Sequence, residues 1–148
     1  MKKKLRHEIE LFHIATDSKP SVPMVENIAV HAGFPSPVDD AYMSQPIDLN
    51  KELIAHPATS FIVRVVGDSM IEEGIEQGDL LVVDRSLFPT EKKICVVIYE
   101  EEFALKRVVQ RNDSILLLPG NRHYEPIEVT DPDRLTVWGV VTWVMKKK

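Results

Sequence analysis

FIVRVVGDSMIEEGIEQGDLLVVD, Phe61 to Asp84, holds two runs of β-branched and aliphatic residues, FIVRVV (61 to 66) and DLLVVD (79 to 84), separated by glycines and acids. Short runs of this composition bounded by turn residues read as strands. The first ends on GDSM, Gly67 to Met70. Gly-Asp-Ser is ordinary turn chemistry, because glycine tolerates positive φ and Asp or Ser can bond the backbone locally. A serine presented on such a turn is also a candidate nucleophile, provided that a neighbouring group takes its proton.

Outward from this pair the same texture continues. ICVVIYE (94 to 100), EFALKRVVQ (102 to 110), SILLLP (114 to 119), PIEV (126 to 129) and LTVWGVVTWVM (135 to 145) all read as short strands, which predicts a mainly β, compact domain. Glu100, Glu101 and Glu102 form the charged tip of a hairpin. Ahead of these strands, PIDLNKELIAHP predicts a brief helix through Leu53 and Ile54, with Asp48 as its N-cap and Pro57 ending it. Pro20, Pro23, Pro35, Pro37 and Pro46 leave little room for regular structure before it, so residues 1–46 read as an extended N-terminal arm and 47–148 as the folded domain. Leu5, Ile9 and Phe12 share one face of a short helix in the basic start.

The chain of 148 residues is about the size of one domain and is long enough to bury a core. A net charge of −5 argues against unaided gripping of DNA phosphates, so DNA contact is expected only indirectly. The single cysteine, Cys95, lies in a run apolar on both faces and reads as buried, which with no disulfide possible inside the chain fits a reducing compartment. No apolar run approaches the roughly 18 residues of a membrane span, and no signal peptide is read at the start. The expected location is the cytoplasm.

A base for Ser69 has two sources. His7, His13, His31, His56 and His123 match no triad or metal-ligand spacing, and the reading calls for no metal and no cofactor. Lysine offers more. Alternation in EFALKRVVQ puts Phe103, Leu105, Arg107 and Val109 on one face and Ala104, Lys106 and Val108 on the other, so Lys106 projects between apolar neighbours. Desolvation there lowers a lysine pKa from about 10.4 toward neutrality, where it accepts a proton. A strand lysine more often snorkels from a half-exposed face, so periodicity by itself favours the bland reading.

GDSM, then GDLLVVD, then a lysine in an apolar strand 37 residues after the serine, resembles the LexA/UmuD family of self-cleaving Ser-Lys peptidases. The likeness runs from HAGFPSPVDD to the C-terminus through PIDLNKELIAHP, EEFALKRVV and VWGVVTWVM. It implies a curved, partly open β domain of the LexA/signal-peptidase kind, with Ser69 as nucleophile, Lys106 as general base and Ala32-Gly33 as the cleaved bond. Asp68 then shapes the turn and Met70 walls the cleft. Only 32 residues precede Gly33, too few for a repressor's helix-turn-helix domain and linker, so the likeness points to the mutagenesis branch of the family. That branch implies an SOS-response protein that forms a homodimer and is stimulated by a RecA filament on single-stranded DNA. Its shortened form joins a UmuC-type translesion polymerase.

Cleavage would remove five basic and four acidic side chains, taking the body from −5 to −6, so its effect would come from uncovering a surface. Other classes remain open to the sequence: a non-cleaving binding module, a truncated LexA-like repressor fragment, or a signal-peptidase-like enzyme lacking its apolar anchor. Trp138 and Trp143 read as core, with the C-terminal strand a candidate dimer contact. Lys146, Lys147 and Lys148 read as a solvated end.

Overall fold

In the computed structural model of the chain, the described residues are 8–12, 14, 21–25 and 43–148. Two compact units divide it, residues 15–55 forming one and residues 1–14 with 56–148 the other. In the smaller unit, β2 (Ser21–Val25) pairs antiparallel with β3 (Met43–Asp48). Helix α1 (Leu49–Leu53) follows, and the Asp48 carboxylate accepts the Asn50 N–H at 3.0 Å, as expected of an N-cap.

The larger unit is built on β1 (Ile9–Phe12), β4 (Ser60–Val65), β5 (Leu80–Asp84), β6 (Ile94–Tyr99), β7 (Glu102–Gln110), β8 (Ile115–Leu118), β9 (Ile127–Val129) and β10 (Leu135–Met145). They form one antiparallel sheet in the order β1-β4-β5-β10-β6-β7-β8-β9. The sheet curls into a half-barrel, and the Glu8 N–H just before β1 reaches the Phe103 carbonyl of β7 at 3.1 Å. The mainly β, curved and partly open fold expected from the sequence is therefore present. The start of the chain differs from expectation. Leu5 lies outside the described residues, while Ile9–Phe12 is a strand, because the exposed edge of β4 offers backbone partners that a short isolated helix lacks.

Both faces of the middle strands are covered, which explains why ICVVIYE reads as a continuous apolar run. Val96 and Leu105 pack with Val63, Leu81, Val83 and Trp138 on one side. Cys95, Val97 and Ala104 pack with Leu117, Val129 and Val140 on the other. Between β6 and β7, Glu100 and Glu101 take positive φ values of 50° and 68°, the backbone that a two-residue hairpin loop requires. The Arg134 guanidinium donates to Glu100 across this loop.

The long strand β10 carries bulges at Val137/Gly139 and Val141/Trp143. At Gly139 a Cβ would stand 2.6 Å from Val83 Cγ1, so a side chain there would collide with the neighbouring strand. The two tryptophans part company. Trp138 is buried against Phe61 and Phe103, with ring centroids 5.0 and 6.0 Å away, whereas Trp143 is exposed beyond the second bulge. The lysine tail also departs from expectation at its first residue, where Lys146 donates to Asp79 and sits 3.4 Å from Glu76.

Asp84 ends β5 as a buried carboxylate that accepts from Thr59 Oγ1 at 2.9 Å, Ser86 Oγ at 2.7 Å and the Ser86 N–H at 2.8 Å, and meets His56 Nδ1 at 2.5 Å. Burial alone would raise its pKa, but His56, Ser86 and Thr59 outweigh that and bring it down from 3.8 to about 2. A depressed carboxylate pKa contributes stability that is present above the unfolded value and lost as pH falls through the folded one. Asp84→Asn is expected to cost about 1–3 kcal/mol in urea unfolding at neutral pH. The loss should shrink progressively as the pH is lowered from 3.8 through about 2, below which the wild-type carboxylate is protonated too.

Candidate active site

Gly67 and Asp68 carry the chain off β4 into a turn clamped against the loop after β8. The Asp68 carbonyl accepts from Asn121 Nδ2 at 2.8 Å and the Tyr124 hydroxyl donates to Asp68 Oδ1 at 2.6 Å. One residue on, the Ser69 carbonyl accepts the Gly120 N–H at 2.7 Å. Asp68 thus shapes the turn, as its sequence suggests. Met70, expected as a wall of the cleft, packs in the core cluster that includes Ile9. It is 1% exposed in the core, and its sulfur accepts the Gly120 N–H at 3.1 Å.

This clamp leaves Ser69 buried, at 2% exposure, beside the middle of β7. Lys106, at 1%, is the largest fully buried side chain among the described residues. Snorkelling is therefore not its state. Both side chains converge on a third group that the sequence did not single out, the carboxylate of Glu8. Glu8 Oε2 accepts from Ser69 Oγ at 2.9 Å and from the Leu105 N–H at 2.9 Å, while Glu8 Oε1 lies 3.8 Å from Lys106 Nζ. Ser69 Oγ has a second acceptor in the Leu105 carbonyl at 3.2 Å.

A direct hydrogen bond between serine and lysine would complete the expected dyad. Instead, neither Lys106 Nζ nor Glu8 Oε1 has a hydrogen-bond partner among the described residues. The carboxylate bridges the two. Nearby, Lys106 Nζ stands 5.2 Å from the centre of the Tyr124 ring.

Burial dominates the electrostatics. It lowers the Lys106 pKa from the ordinary lysine value, and the Glu8 charge opposes that fall without cancelling it. It raises the Glu8 pKa, against the pull of Lys106, the Leu105 N–H and Ser69. A buried ammonium and a buried carboxylate each favour their neutral form unless paired, and at 3.8 Å with no direct hydrogen bond this pairing is incomplete.

Of the histidines, His7, His13 and His31 lie outside the described residues, as do Ala32 and Gly33. His56 is engaged by Asp84, and His123 is exposed. No group of His, Cys, Asp and Glu side chains among the described residues is arranged to hold a metal ion. No described helix is long and apolar enough to cross a membrane.

Residues 23–142 match the family model for Peptidase S24-like proteins. The chain belongs to the S24 peptidase family. Protein SamA of Salmonella typhimurium is 42% identical over 116 residues, which cover 78% of this chain and 79% of that protein. Protein MucA of Escherichia coli is 39% identical over 115 residues, 76% and 77% of the two chains. The LexA repressor of Syntrophotalea carbinolica is 42% identical over 86 residues, covering 58% of this chain and 43% of the repressor. The S24 match takes in Ala32, Gly33, Ser69 and Lys106 and begins after Glu8. The acid in the site thus comes from a part of the chain that the family model does not cover.

Cys95 is a second nucleophile in principle, opposite Lys106 on the neighbouring strand. Burial pushes its thiol up to about 11, far above the range of a reactive cysteine. Iodoacetamide at mildly alkaline pH should leave the native protein unlabelled over an hour and label it fully in guanidinium. Rapid labelling of the native chain would contradict this burial.

Proposed function

We propose that this S24 chain cleaves itself between Ala32 and Gly33, with Ser69 as nucleophile and Lys106 as general base. The observation that carries the reading is the convergence of a buried serine and a buried lysine on one carboxylate. An isolated lysine at this depth is unfavourable for folding, and burial moves it toward the neutral form that a base needs.

In this mechanism the segment containing Ala32 enters the site as an extended substrate, and Glu8 gives up its place. Without the carboxylate, the group that raises the Lys106 pKa is gone, and desolvation lowers it further. Neutral Lys106 takes the Ser69 proton as Oγ attacks the Ala32 carbonyl carbon. The tetrahedral intermediate collapses, the C–N bond breaks, and Lys106 returns the proton to the Gly33 amine. Water, deprotonated by Lys106, then releases the Ala32 carboxylate and regenerates the serine. Backbone N–H groups of the GDSM turn, including that of Ser69, serve as oxyanion donors.

The wider role proposed here follows the branch of the family that the sequence resembles. Residues 1–46 act as the arm that presents the scissile bond, and 47–148 as the peptidase-like domain. Cleavage is stimulated by a RecA filament on single-stranded DNA during the SOS response in the cytoplasm. The shortened homodimer then serves as a subunit of a UmuC-type translesion polymerase. Similarity to SamA and MucA over about three quarters of both chains supports this assignment.

The test is intact-mass spectrometry of purified protein incubated from neutral to alkaline pH without any other protein. A fragment beginning at Gly33 should accumulate with first-order kinetics. Its rate should rise with pH until Lys106, which faces Glu8, Ser69 and the Tyr124 ring, is neutral, and then level off. Ser69→Ala and Lys106→Ala should each lower that rate by about a hundredfold or more. Cleavage unchanged in both variants would overturn the assignment. An intact chain at every pH calls for addition of a RecA filament, and no cleavage with that filament would leave a binding module.

A further inference from the structure

The edge of β4 that leads to Ser69 is already occupied by the protein's own N-terminal strand. β1 lies antiparallel along β4, with Ile9 opposite Val65 and Phe12 opposite Ile62. Just before it, the Glu8 carbonyl accepts the Val66 N–H at 2.7 Å and the Gly67 N–H at 3.1 Å, while the Glu8 N–H donates to Phe103 on the other wall. The backbone of Glu8 therefore spans the seam between the end of β4 and β7, next to the nucleophile. Gly67 makes room for it, since a Cβ there would stand 2.9 Å from Glu8 Cγ.

An extended peptide added to a sheet edge recognises that edge through its backbone, and a side chain at the reacting position decides what is held there. Here Glu8 Oε2 accepts the Ser69 Oγ hydrogen bond at 2.9 Å, so the carboxylate fills the space directly in front of the hydroxyl. A carboxylate resists attack by an alcohol, so it can hold this position without reacting. It also takes the Ser69 hydroxyl hydrogen bond that a general base would need to receive.

Resting on the Ser-Lys reading above, we infer that Glu8–Phe12 is a built-in competitor for the peptide-binding edge. Glu8 plugs the site and holds Ser69 and Lys106 apart until the strand is displaced. The class of ligand that the cleft takes is one extended peptide strand running antiparallel to β4, supplied either by this segment or by the segment to be cut. Because only one strand can lie on that edge, the rate of self-cleavage is scaled by the fraction of molecules in which β1 has left. Ile9 is the buried anchor of the segment, whereas Glu10, Leu11 and Phe12 are exposed, so the segment is held mainly by its backbone, Ile9 and Glu8.

Two measurements test this on the full-length chain. The first is amide hydrogen exchange in the Ser69→Ala background, which cannot cleave, with and without Glu8→Ala. Val66, Gly67 and Leu105 amides should be protected in the parent and exchange at least about tenfold faster after the second substitution. The second is the first-order self-cleavage rate at neutral pH in chains that keep Ser69. Glu8→Ala and Glu8→Gln should both cleave at least about tenfold faster than wild type, the glutamine less so because its amide oxygen can still accept from the serine.

Equal exchange in the two backgrounds would overturn the plug, as would cleavage that is unchanged or slower in both Glu8 variants. If no variant cleaves even with a RecA filament added, the peptidase reading fails, and hydrogen exchange still decides whether the strand occupies the edge. If wild type and variants cleave equally, the peptidase reading stands and the competitor is rejected.

Discussion

A lysine at the centre of a β-sheet core must find a partner or lose its proton, and the candidate site is organised around that constraint. Lys106 is buried because β7 is covered on both faces, and β7 is covered because the sheet curls until β1 meets it. The acid that answers it, Glu8, is as deeply buried and comes from a segment nearly a hundred positions away. The pair is offset at 3.8 Å, with Glu8 Oε1 and Lys106 Nζ lacking hydrogen bonds among the described residues. That geometry is poor for permanent stabilisation, since a buried pair repays its desolvation only when its hydrogen bonds are complete. It suits a group that has to leave.

The turn carrying Ser69 is rigid by contrast. Its backbone is tied to Asn121, Tyr124 and Gly120, so the serine does not have to be reorganised when the occupant of the cleft changes. Ser69 and Lys106, the proposed nucleophile and base, are held by the sheet and this clamp, while the variable part of the proposal is an edge strand with four paired residues. A short edge strand of this kind opens at low cost relative to the core. Control in the molecule is thus placed on the element whose displacement disturbs the least packing.

Much of the fold was legible because strand residues announce themselves by β-branching and turns by Gly, Asp and Pro. The apolar run of β10 has the same ends as the strand, and those of β4 to β9 agree with their strands within a residue or two. The faces were harder. Period-two alternation correctly put Lys106 with Ala104 and Val108, but it could not say that both faces of β7 are buried, which depends on the curl of the whole sheet. Composition alone assigns Trp143 to the core, as for most aromatic residues, whereas the bulge beside it depends on register with β5. Glu8 was missed for a clear reason. A lone acid in a charged N-terminal run reads as solvated, and only the long-range pairing of β1 with β4 brings it to Ser69. The alternation of Glu8, Ile9, Glu10 and Leu11 was the one local sign of a strand there.

The central claim is that burial makes Lys106 a base. The direct measurement is a 13C NMR titration of its ε-carbon in the Ser69→Ala chain, with Lys106 assigned by comparison with Lys106→Arg. The account predicts a Lys106 midpoint well below those of the surface lysines. A midpoint at the ordinary lysine value of about 10.4 would contradict it, because the lysine would then stay charged at neutral pH and could not take the serine proton.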